Sequence, residues 1–188
     1  MKILAIAASN NRQSINRVLA TYAAGLIDDA SVEVVDIADY EMPIYSDERE
    51  QAQGQPPQAR AFQQKIAEAD ALIVSFAEHN GSYTAAWKNL FDWTSRIDTR
   101  VYQDKPALFL ATSPGPGGAS TVLAAAVGSA PYFGGHVVSS LSVHSFHDNF
   151  DLAANELVHR GIQKRLRRAV RRLENAGQRR IAEEREAA

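Results

Sequence analysis

Three short and almost wholly apolar runs lie along the chain, and each is followed by a polar loop and then by a segment of helical periodicity. The runs are Lys2–Ala8, Ala71–Phe76 and Lys105–Ala111. Strands of this composition are buried on both faces, as in parallel sheets covered by helices. Repeated alternation of such strands with helices is typical of the α/β class. We therefore predict one doubly wound parallel sheet with helices on both faces.

Weaker signals complete a pattern of five strands. Further strands are predicted over Ser31–Ile37, near a sheet edge, and over Gly135–Val143. Ala38–Pro57 is polar and contains three prolines, which predicts a long loop. Helices are predicted over Ser14–Asp28, Gln58–Ala69, Thr84–Arg96 and Ala119–Val127, with a final helix capped by Asp148 or Asp151.

The composition limits the classes of function. A chain of 188 residues fits a single domain. It has no cysteine, which excludes disulfides, thiolate nucleophiles and iron–sulfur ligation and agrees with a reducing compartment. The first apolar run is too short for a secretory signal, and no stretch approaches the about 20 apolar residues that cross a bilayer. We expect a cytoplasmic protein without membrane insertion.

Positive charge is concentrated at the C-terminal end of the chain. Residues 159–188 contain ten Lys or Arg and four Glu, a net charge of +6, whereas the whole chain carries −2, so the rest carries −8. Such a run can bind nucleic acid, but its arginines alternate with apolar residues such as Leu166 and Val170 at helical spacing. That spacing predicts the solvated face of a docked helix, and no nucleic-acid partner is expected. We assign residues 1–175 to the domain and 176–188 to a charged C-terminal tail.

Three polar loops directly follow predicted buried strands. They are Ser9–Asn16, Glu78–Ser82 and Ser113–Gly118. In a doubly wound sheet, ligands bind outside the carboxyl ends of the strands, where the strand order reverses. Each loop alone is a weak signal. Their expected convergence at one edge of the sheet predicts a ligand site.

The first loop combines groups that suit a phosphate monoester. Ser9 and Ser14 offer hydroxyl donors, Arg12 offers a guanidinium, and the start of the next helix offers free backbone amides. The loop lacks the glycines and lysine of a P-loop and the G-x-G-x-x-G of a dinucleotide-binding fold. The alternative is that Ser14 only caps the helix and Arg12 lies in solvent. The loop by itself leaves both interpretations open.

The second and third loops offer backbone more than side chains. Asn80-Gly81 readily adopts positive φ, so the second loop can turn sharply and present its amides to a planar ligand. Ser113–Gly118 contains three glycines and two prolines, so its backbone is stiff and bare. The alternative for both is an ordinary turn, in the second loop before a helix capped by Ser82 or Thr84.

In combination, the loops resemble the motifs of the NADPH-dependent FMN reductase family. The first-loop motif G-S-x-R-x-x-S-x-N is matched by Ser9, Arg12, Ser14 and Asn16. The segment from Glu78 to Trp93 resembles P-E-Y-N-x-S…K-N-x-x-D-W, and Ser113–Gly118 resembles S-P-G-x-x-G-G. The resemblance spans roughly residues 1–175, in the right order and at the right spacing.

The resemblance implies a flavodoxin-like fold with strand order 2-1-3-4-5 and FMN as the bound cofactor. It implies that the phosphate is held by Ser9, Arg12, Ser14 and Asn16. It further implies that the isoalloxazine ring is bordered by Glu78, His79, Asn80 and Gly81, and its polar edge by Ser113, Gly115 and Gly118. NADPH or NADH would give hydride to FMN, and a quinone, azo compound, chromate or free flavin would accept the electrons. Family members are commonly homodimers or homotetramers.

Three positions depart from the family pattern. Ala8 replaces a glycine, Ala77 a proline and His79 a tyrosine. None of these changes removes a phosphate contact, so they affect the expected substrate preference more than flavin binding. The smaller and titratable His79 could orient a substrate. The alternatives are a flavodoxin-type electron carrier that does not oxidise nicotinamide and an FMN-free binding or sensing module.

His144, His147 and Asp148 are the candidates for a metal site. The segment leaves a predicted strand, along which the two histidines would point to opposite faces. No zinc signature accompanies them. We expect no metal, and we expect this segment to line the mouth of the flavin pocket.

Overall fold

A five-stranded parallel sheet forms the centre of the computed structural model, which describes residues 1–186. Its strands are β1 (Lys2–Ala8), β2 (Ser31–Asp36), β3 (Ala71–Phe76), β4 (Pro106–Thr112) and β5 (His136–Val143). They lie in the order β2-β1-β3-β4-β5, and every neighbouring pair is parallel. The expected flavodoxin-like order 2-1-3-4-5 is confirmed. Burial of β1, β3 and β4 on both faces explains their nearly continuous apolar sequences.

Helices cover both faces of the sheet, as predicted. They are α1 (Ile15–Ala24), α2 (Asp47–Gln53), α3 (Pro57–Glu68), α4 (Ala85–Ile97), α5 (Ser120–Ser129), α6 (Phe146–Asn149) and α7 (Arg160–Glu186). On one face, α3, α4 and α5 contribute Phe62, Trp87 and Val122 to a buried core. On the other, α1 and α7 contribute Leu19 and Leu166. The sheet is thus covered on both sides, and the loops after its strands remain at its carboxyl edge.

The predicted long loop over Ala38–Pro57 is wrong in part, because the segment contains α2 and most of a 3-10 turn at Ile37–Tyr40. Ser46 caps α2 by accepting a hydrogen bond from Arg49 N at 3.3 Å. Acidic residues in the first turn suit the helix dipole. No residue of α2 is buried, so the helix lacks the apolar periodicity by which helices are recognised in a sequence.

The final helix begins at Arg160, so the predicted caps Asp148 and Asp151 are wrong. Asp148 lies in the short helix α6, and Asp151 lies in a small two-stranded hairpin that separates α6 from α7. The first turn of α7 is capped by His159, whose Nδ1 accepts a hydrogen bond from Ile162 N at 3.3 Å. Neither the short helix nor the hairpin is long enough to give a clear periodic signal in the sequence.

Helix α7 has the predicted division between an apolar and a basic face. Leu166, Val170 and Leu173 are buried against the sheet, while arginines such as Arg168 and Arg172 are exposed. The basic run therefore forms the solvated face of a docked helix, as expected.

No break in secondary structure marks the predicted domain boundary at residue 175. Helix α7 continues to Glu186, and Gly177 packs against Met1. The boundary and the tail over 176–188 stay predictions, and Ala187 and Ala188 lie outside the described residues. Although α7 has 27 residues, neither it nor another helix within residues 1–186 is apolar enough over such a length to cross a membrane.

Candidate functional site

Three loops meet at the carboxyl edge of the sheet, where the adjacent strands β1, β3 and β4 end. The strand ends lie level, since Ala8 pairs with Phe76 and Phe76 pairs with Ala111. The strand order reverses between β1 and β3, which is where doubly wound sheets bind ligands. The three polar loops predicted as a site therefore share one edge of the molecule.

The first loop leads into α1, and its two serines are buried. Ser9 Oγ accepts a hydrogen bond from Asn11 N at 3.2 Å, and Ser14 Oγ accepts one from Asn16 N at 3.2 Å. Ser14 thus caps the helix. Within residues 1–186 neither hydroxyl donates to a protein acceptor, so both O–H groups are available to an anion. Ile15, as the first residue of α1, has no intrahelical acceptor for its N–H.

Arg12 bridges the carboxylates of Asp36, the last residue of β2, and Asp39, which follows that strand. Its Nη1 donates to Asp36 Oδ2 at 3.2 Å, and its Nη2 donates to Asp39 Oδ1 at 2.7 Å. The hydrogen bond to Asp39 and the charges of Asp39 and Asp36 raise the pKa of Arg12. The Asp36 side chain is 8% exposed and also accepts from Arg17, whereas that of Asp39 is 60% exposed. The Asp39 contact is therefore the easier one for an anionic ligand to replace.

The side chain of Asn16 is buried between the ends of β3 and β4. Its Oδ1 accepts hydrogen bonds from Ser75 Oγ at 2.8 Å and from Thr112 N at 3.1 Å. Its Nδ2 donates to Thr112 O at 3.1 Å. Both polar atoms of the side chain therefore have protein partners, and this geometry gives no support to the expected phosphate contact of Asn16.

The second loop is a hairpin with a two-residue turn. Glu78–His79 pairs antiparallel with Ser82–Tyr83, and the turn residues Asn80 and Gly81 have φ of 53° and 76°. The predicted positive φ of this pair is confirmed. A Cβ at Gly81 would meet no atom within 4 Å, so the turn presents its backbone to open space.

Glu78 links the second loop to the helix that follows the third. Its Oε2 accepts a hydrogen bond of 2.9 Å from Val122 N, in the first turn of α5. A carboxylate is favourable at this position because the N-terminus of a helix carries partial positive charge. One carboxylate oxygen of Glu78 is thus engaged within the protein, while His79 beside it is exposed.

The glycines of the third loop have different surroundings. A Cβ at Gly115 or Gly117 would meet no atom within 4 Å. At Gly118, where φ is +59°, a Cβ would overlap Ser142 Oγ and lie 3.0 Å from His144 N. Gly118 therefore allows the loop to pack on the end of β5, where Ser142 Oγ donates to Gly118 O at 2.7 Å. At Gly115 and Gly117 the Cα side of the backbone faces open space, while the two carbonyl oxygens accept hydrogen bonds from Ser145 N and Ser120 N.

Three buried hydroxyl residues also support the site, although the sequence did not identify them as parts of it. Thr84, considered there only as a cap of α4, does cap that helix and also donates to Ala8 O at 3.0 Å. Ser75 and Thr112 both contact Asn16. Ser75 could have been found from the sequence, because it is the one hydroxyl residue in the fully buried strand β3. A buried hydroxyl needs a hydrogen-bond partner.

The segment that directly follows β5 lies beside the third loop. Ser145 N donates to Gly115 O at 2.9 Å, and Phe146 N donates to Ser113 O at 3.1 Å. The backbone of His144 is close to Gly118.

β5 ends at Val143, and His147 and Asp148 lie in α6. The prediction that His144 and His147 lie along one extended strand is therefore wrong. Within residues 1–186 no three His, Cys, Asp or Glu side chains are grouped so as to hold a metal ion.

The model of one protein family, described as NADPH-dependent FMN reductase, matches residues 1–148. The chain belongs to this family. The family that the loop motifs predict is thereby confirmed. Membership implies that this FMN reductase family member is an oxidoreductase, with FMN as cofactor and NADPH or NADH as electron donor.

Individual relatives agree with that membership. The chain is 32% identical over 157 residues to 2-hydroxy-1,4-benzoquinone reductase of a Burkholderia species, covering 82% of this chain and 84% of that protein. It is 34% identical over 116 residues to an NAD(P)H-dependent FMN reductase of Pseudomonas aeruginosa, but spans only 61% of that relative. The solved structure of FerB, a flavoenzyme NAD(P)H:(acceptor) oxidoreductase from Paracoccus denitrificans, has a TM-score of 0.75 at 22% identity, covering 95% and 98% of the two chains. That likeness confirms the fold alone.

The groups at the three loops fit the chemistry of FMN in two respects. In the first loop, two serine hydroxyls accept hydrogen bonds but donate none to the described protein residues. With an exposed guanidinium and the start of a helix, they suit a phosphate dianion. The second and third loops present bare backbone at Gly81, Gly115 and Gly117, which suits the close approach of a flat ring.

Proposed function

We propose that this family member is an FMN-dependent NAD(P)H oxidoreductase that passes hydride from nicotinamide to bound FMN and electrons on to a quinone. Azo compounds, chromate and free flavin are the further candidate acceptors. The main support is the convergence of a helix start that has two buried serine hydroxyls with two glycine-containing loops, at the ends of three adjacent strands. Two relatives that are named as quinone reductases favour a quinone as the acceptor.

In this proposal Ser9, Arg12 and Ser14 bind the phosphate of FMN. The two hydroxyls and the guanidinium donate charge-assisted hydrogen bonds, which are stronger than those between neutral groups. The N-terminus of α1 adds its partial positive charge at the same place. Because the serines are buried and already oriented by Asn11 N and Asn16 N, little side-chain entropy is lost when the phosphate binds.

The second and third loops border the isoalloxazine ring, through His79, Asn80, Gly81, Ser113 and Gly115. Bound FMN supplies a ring that accepts hydride and releases electrons to the acceptor. Fixed backbone N–H groups of the loops stabilise the negative charge of the reduced state by preorganised electrostatics. No loop side chain has to act as a nucleophile or general base. The exposed His79 is placed to contact a substrate.

We also propose that the chain forms a homodimer or homotetramer, as is common in the family. A groove of about 290 Å³ lies beside the first loop, lined by Asn10, Met42, Ile44 and Ala85 among others. Ile44 is 73% exposed, so an apolar side chain is left in water at the border of the site. Light scattering after size exclusion, at several protein concentrations, tests this assembly. A monomer at every concentration would exclude it.

A titration with FMN, followed by anaerobic mixing with the electron donor and acceptor, tests the proposed activity. The protein is titrated with FMN, and the anaerobic complex is then mixed with NADPH or NADH and afterwards with 1,4-benzoquinone. We expect saturable quenching of flavin fluorescence, rapid bleaching by one nicotinamide and return of colour with the quinone. Binding of FMN without bleaching would point to an electron carrier. Absence of FMN binding would overturn both assignments and leave the FMN-free module.

A further inference from the structure

The first and third loops are joined by a buried side chain. Asn16, at the end of the first loop, exchanges two hydrogen bonds with the backbone of Thr112, directly before the third loop, with both distances 3.1 Å. Ser75 Oγ donates to the same Asn16 oxygen at 2.8 Å. Asn16 is 2% exposed and Ser75 and Thr112 are 0% and 1% exposed. Hydrogen bonds shielded from water in this way hold their partners in fixed relative positions.

The second loop is joined to the first by Thr84. This residue follows the second loop, and its Oγ1 donates to Ala8 O at 3.0 Å, at the last position before the first loop. The same oxygen accepts from Trp87 N at 3.1 Å and caps α4. Thr84 is 1% exposed. One hydroxyl therefore fixes both the start of α4 and the distance of the second loop from the first.

The third loop is joined back to the second by Glu78. Its Oε2 accepts from Val122 N at 2.9 Å, in the helix that the third loop enters. With Asn16 and Thr84, this bond completes a closed cycle in which each loop is tied to both of the others. Two of the ties attach at Ala8 and Thr112, the last residues of β1 and β4. The third attaches at Val122, in the first turn of α5. The ties therefore hold the backbone at points where the loops leave the sheet or enter the next helix.

We propose that Asn16, Thr84 and Glu78 are positioning residues that hold the three loops in one arrangement for FMN. This inference rests on the proposed function. A site preorganised in this way binds its ligand more tightly because the loops lose less freedom on binding. In a closed cycle, breaking one tie also loosens the loop that the broken tie does not touch. Asn16 and Glu78 then act through their neighbours and not through contacts of their side chains with the cofactor.

Thr84 offers the sharpest test because it lies outside the proposed cofactor contacts. Thr84→Val keeps the size of the side chain and removes the hydroxyl, whereas Thr84→Ser keeps the hydroxyl. Hydrogen exchange of the FMN-free proteins is followed by mass spectrometry in the three loops. In Thr84→Val we expect faster exchange in the third loop, residues 113–118, with which Thr84 makes no hydrogen bond. Thr84→Ser should retain the wild-type exchange there. A role of Thr84 only in capping α4 would leave the third loop unchanged.

FMN affinity gives the second readout. Thr84→Val should raise the FMN dissociation constant about tenfold, the effect of losing the hydrogen bond to Ala8 O that joins the second loop to the first. Glu78→Ala should do the same, and Glu78→Gln, which keeps an acceptor oxygen, should restore most of the affinity. Once the cycle is open, breaking a second tie has less effect. The double variant Thr84→Val/Glu78→Ala should therefore lose clearly less than the product of the two single changes.

The outcomes separate this inference from the proposed function. If the wild-type protein does not bind FMN, the proposed function fails, and hydrogen exchange still reports whether the loops are coupled. If the wild type binds FMN and the two ties contribute independently, with third-loop exchange unchanged in Thr84→Val, the cycle does not position the loops. If Thr84→Val does not fold, Glu78→Ala provides the same test, since Glu78 is only half-buried. Glu78 makes no hydrogen bond with the first loop, so faster hydrogen exchange in that loop would support the cycle and unchanged exchange would contradict it.

Discussion

The guanidinium of Arg12 donates a hydrogen bond of 2.7 Å to the carboxylate of Asp39. Both side chains are about three-fifths exposed, at 62% and 60%. An arginine proposed to bind phosphate is thus paired with an acidic group that competes with the phosphate for the same donors. If Arg12 binds the phosphate as proposed, its pairing with Asp39 lowers the affinity of the site for that anion.

Asp39→Asn should therefore tighten FMN binding. The substitution removes a negative charge beside the phosphate and weakens the bond that holds Arg12 away from it. Since exposed ion pairs are worth little, we expect the FMN dissociation constant to fall only about two- to fivefold. Fluorescence titration measures it. Riboflavin, which lacks the phosphate, is the control ligand and should bind equally to both proteins. Weaker FMN binding by Asp39→Asn would show that Asp39 positions Arg12 instead of competing for it.

Arg12→Ala should weaken FMN binding about ten- to hundredfold, the range expected for a lost hydrogen bond to a charged group. Riboflavin binding should be unchanged, because the effect is confined to the phosphate. Arg17→Ala is the matched control. Arg17 also pairs with Asp36, at 3.0 Å, but it is not one of the proposed phosphate-binding residues. A similar loss for FMN and riboflavin would remove Arg12 from the phosphate site.

The fold could be predicted because three strands that are buried on both faces have nearly continuous apolar sequences, each followed by a polar loop and a segment of helical periodicity. Ala71–Phe76 was predicted with the bounds that the structure gives. Convergence of the loops followed from parallel strands alone, since the carboxyl ends of parallel strands meet at one edge. Helix α2 could not be predicted, because no residue of it is buried and no apolar face exists to be recognised.

The partners of Asn16 and Arg12 could not be predicted, because each lies far away in sequence, whereas the cap formed by Ser14 is local and was foreseeable. Asn16 matches a family motif in the first loop, yet it bonds with Thr112, 96 residues away. Arg12 donates a hydrogen bond to Asp39, 27 residues further along the chain. A sequence motif gives the kind of group at a position. Which of several possible acceptors that group reaches is decided only when the strands are packed.

Gly118 and Gly115 should respond differently to the same substitution. Gly118→Ala places a Cβ against Ser142 and His144 at a φ of +59°, so we expect a loss of about 1–3 kcal/mol in the free energy of unfolding. Gly115→Ala points into open space and should change stability by less than about 0.5 kcal/mol while weakening FMN binding. Urea unfolding of the FMN-free proteins and FMN titration give the two quantities. The assignment of Gly115 to the ligand surface is contradicted if its affinity for FMN stays at the wild-type value.

Deprotonation of Tyr45 should lower the free energy of unfolding of the protein at alkaline pH. The Tyr45 hydroxyl lies 2.5 Å from Asp47 Oδ1 and 3.1 Å from Glu50 Oε2. The hydrogen bond to Asp47, then desolvation and the bond to Glu50, raise the pKa of Tyr45 from 10.0 to about 12. The folded state therefore holds this proton more tightly than the unfolded state. Its contribution to stability is complete below the unfolded pKa of 10.0 and is lost as the pH rises to about 12.

Tyr45→Phe removes that titration. Urea unfolding at a pH of about 9 and about 11 should show a smaller loss of stability in the variant than in the wild type. Tyr132→Phe is the control, since Tyr132 is 82% exposed; it should leave the pH dependence as it is. Equal pH dependence in Tyr45→Phe and wild type would show that the two carboxylates do not hold the phenol proton.

His79→Tyr restores the residue that the family pattern has at this position and should change the choice of acceptor. His79 is exposed on the hairpin of the second loop, opposite Ser82. A tyrosine ring is larger and offers a flat face on which a compact aromatic acceptor can stack. We expect kcat/KM for 1,4-benzoquinone to rise relative to that for a bulky azo dye by at least about threefold, a modest change in pocket shape. FMN affinity should stay within about twofold of the wild type.

The control for that substitution is His136→Tyr, an exposed histidine at the first residue of β5 and so at the opposite edge of the sheet. It introduces the same side chain far from the loops and should leave the acceptor ratio unchanged. Loss of FMN from His79→Tyr would contradict the proposed position of residue 79 at the border of the ring, because a larger side chain there would then displace the cofactor. An acceptor ratio equal to that of the wild type would show that residue 79 does not contact the acceptor, and would leave the backbone of the second and third loops as the surface that selects it.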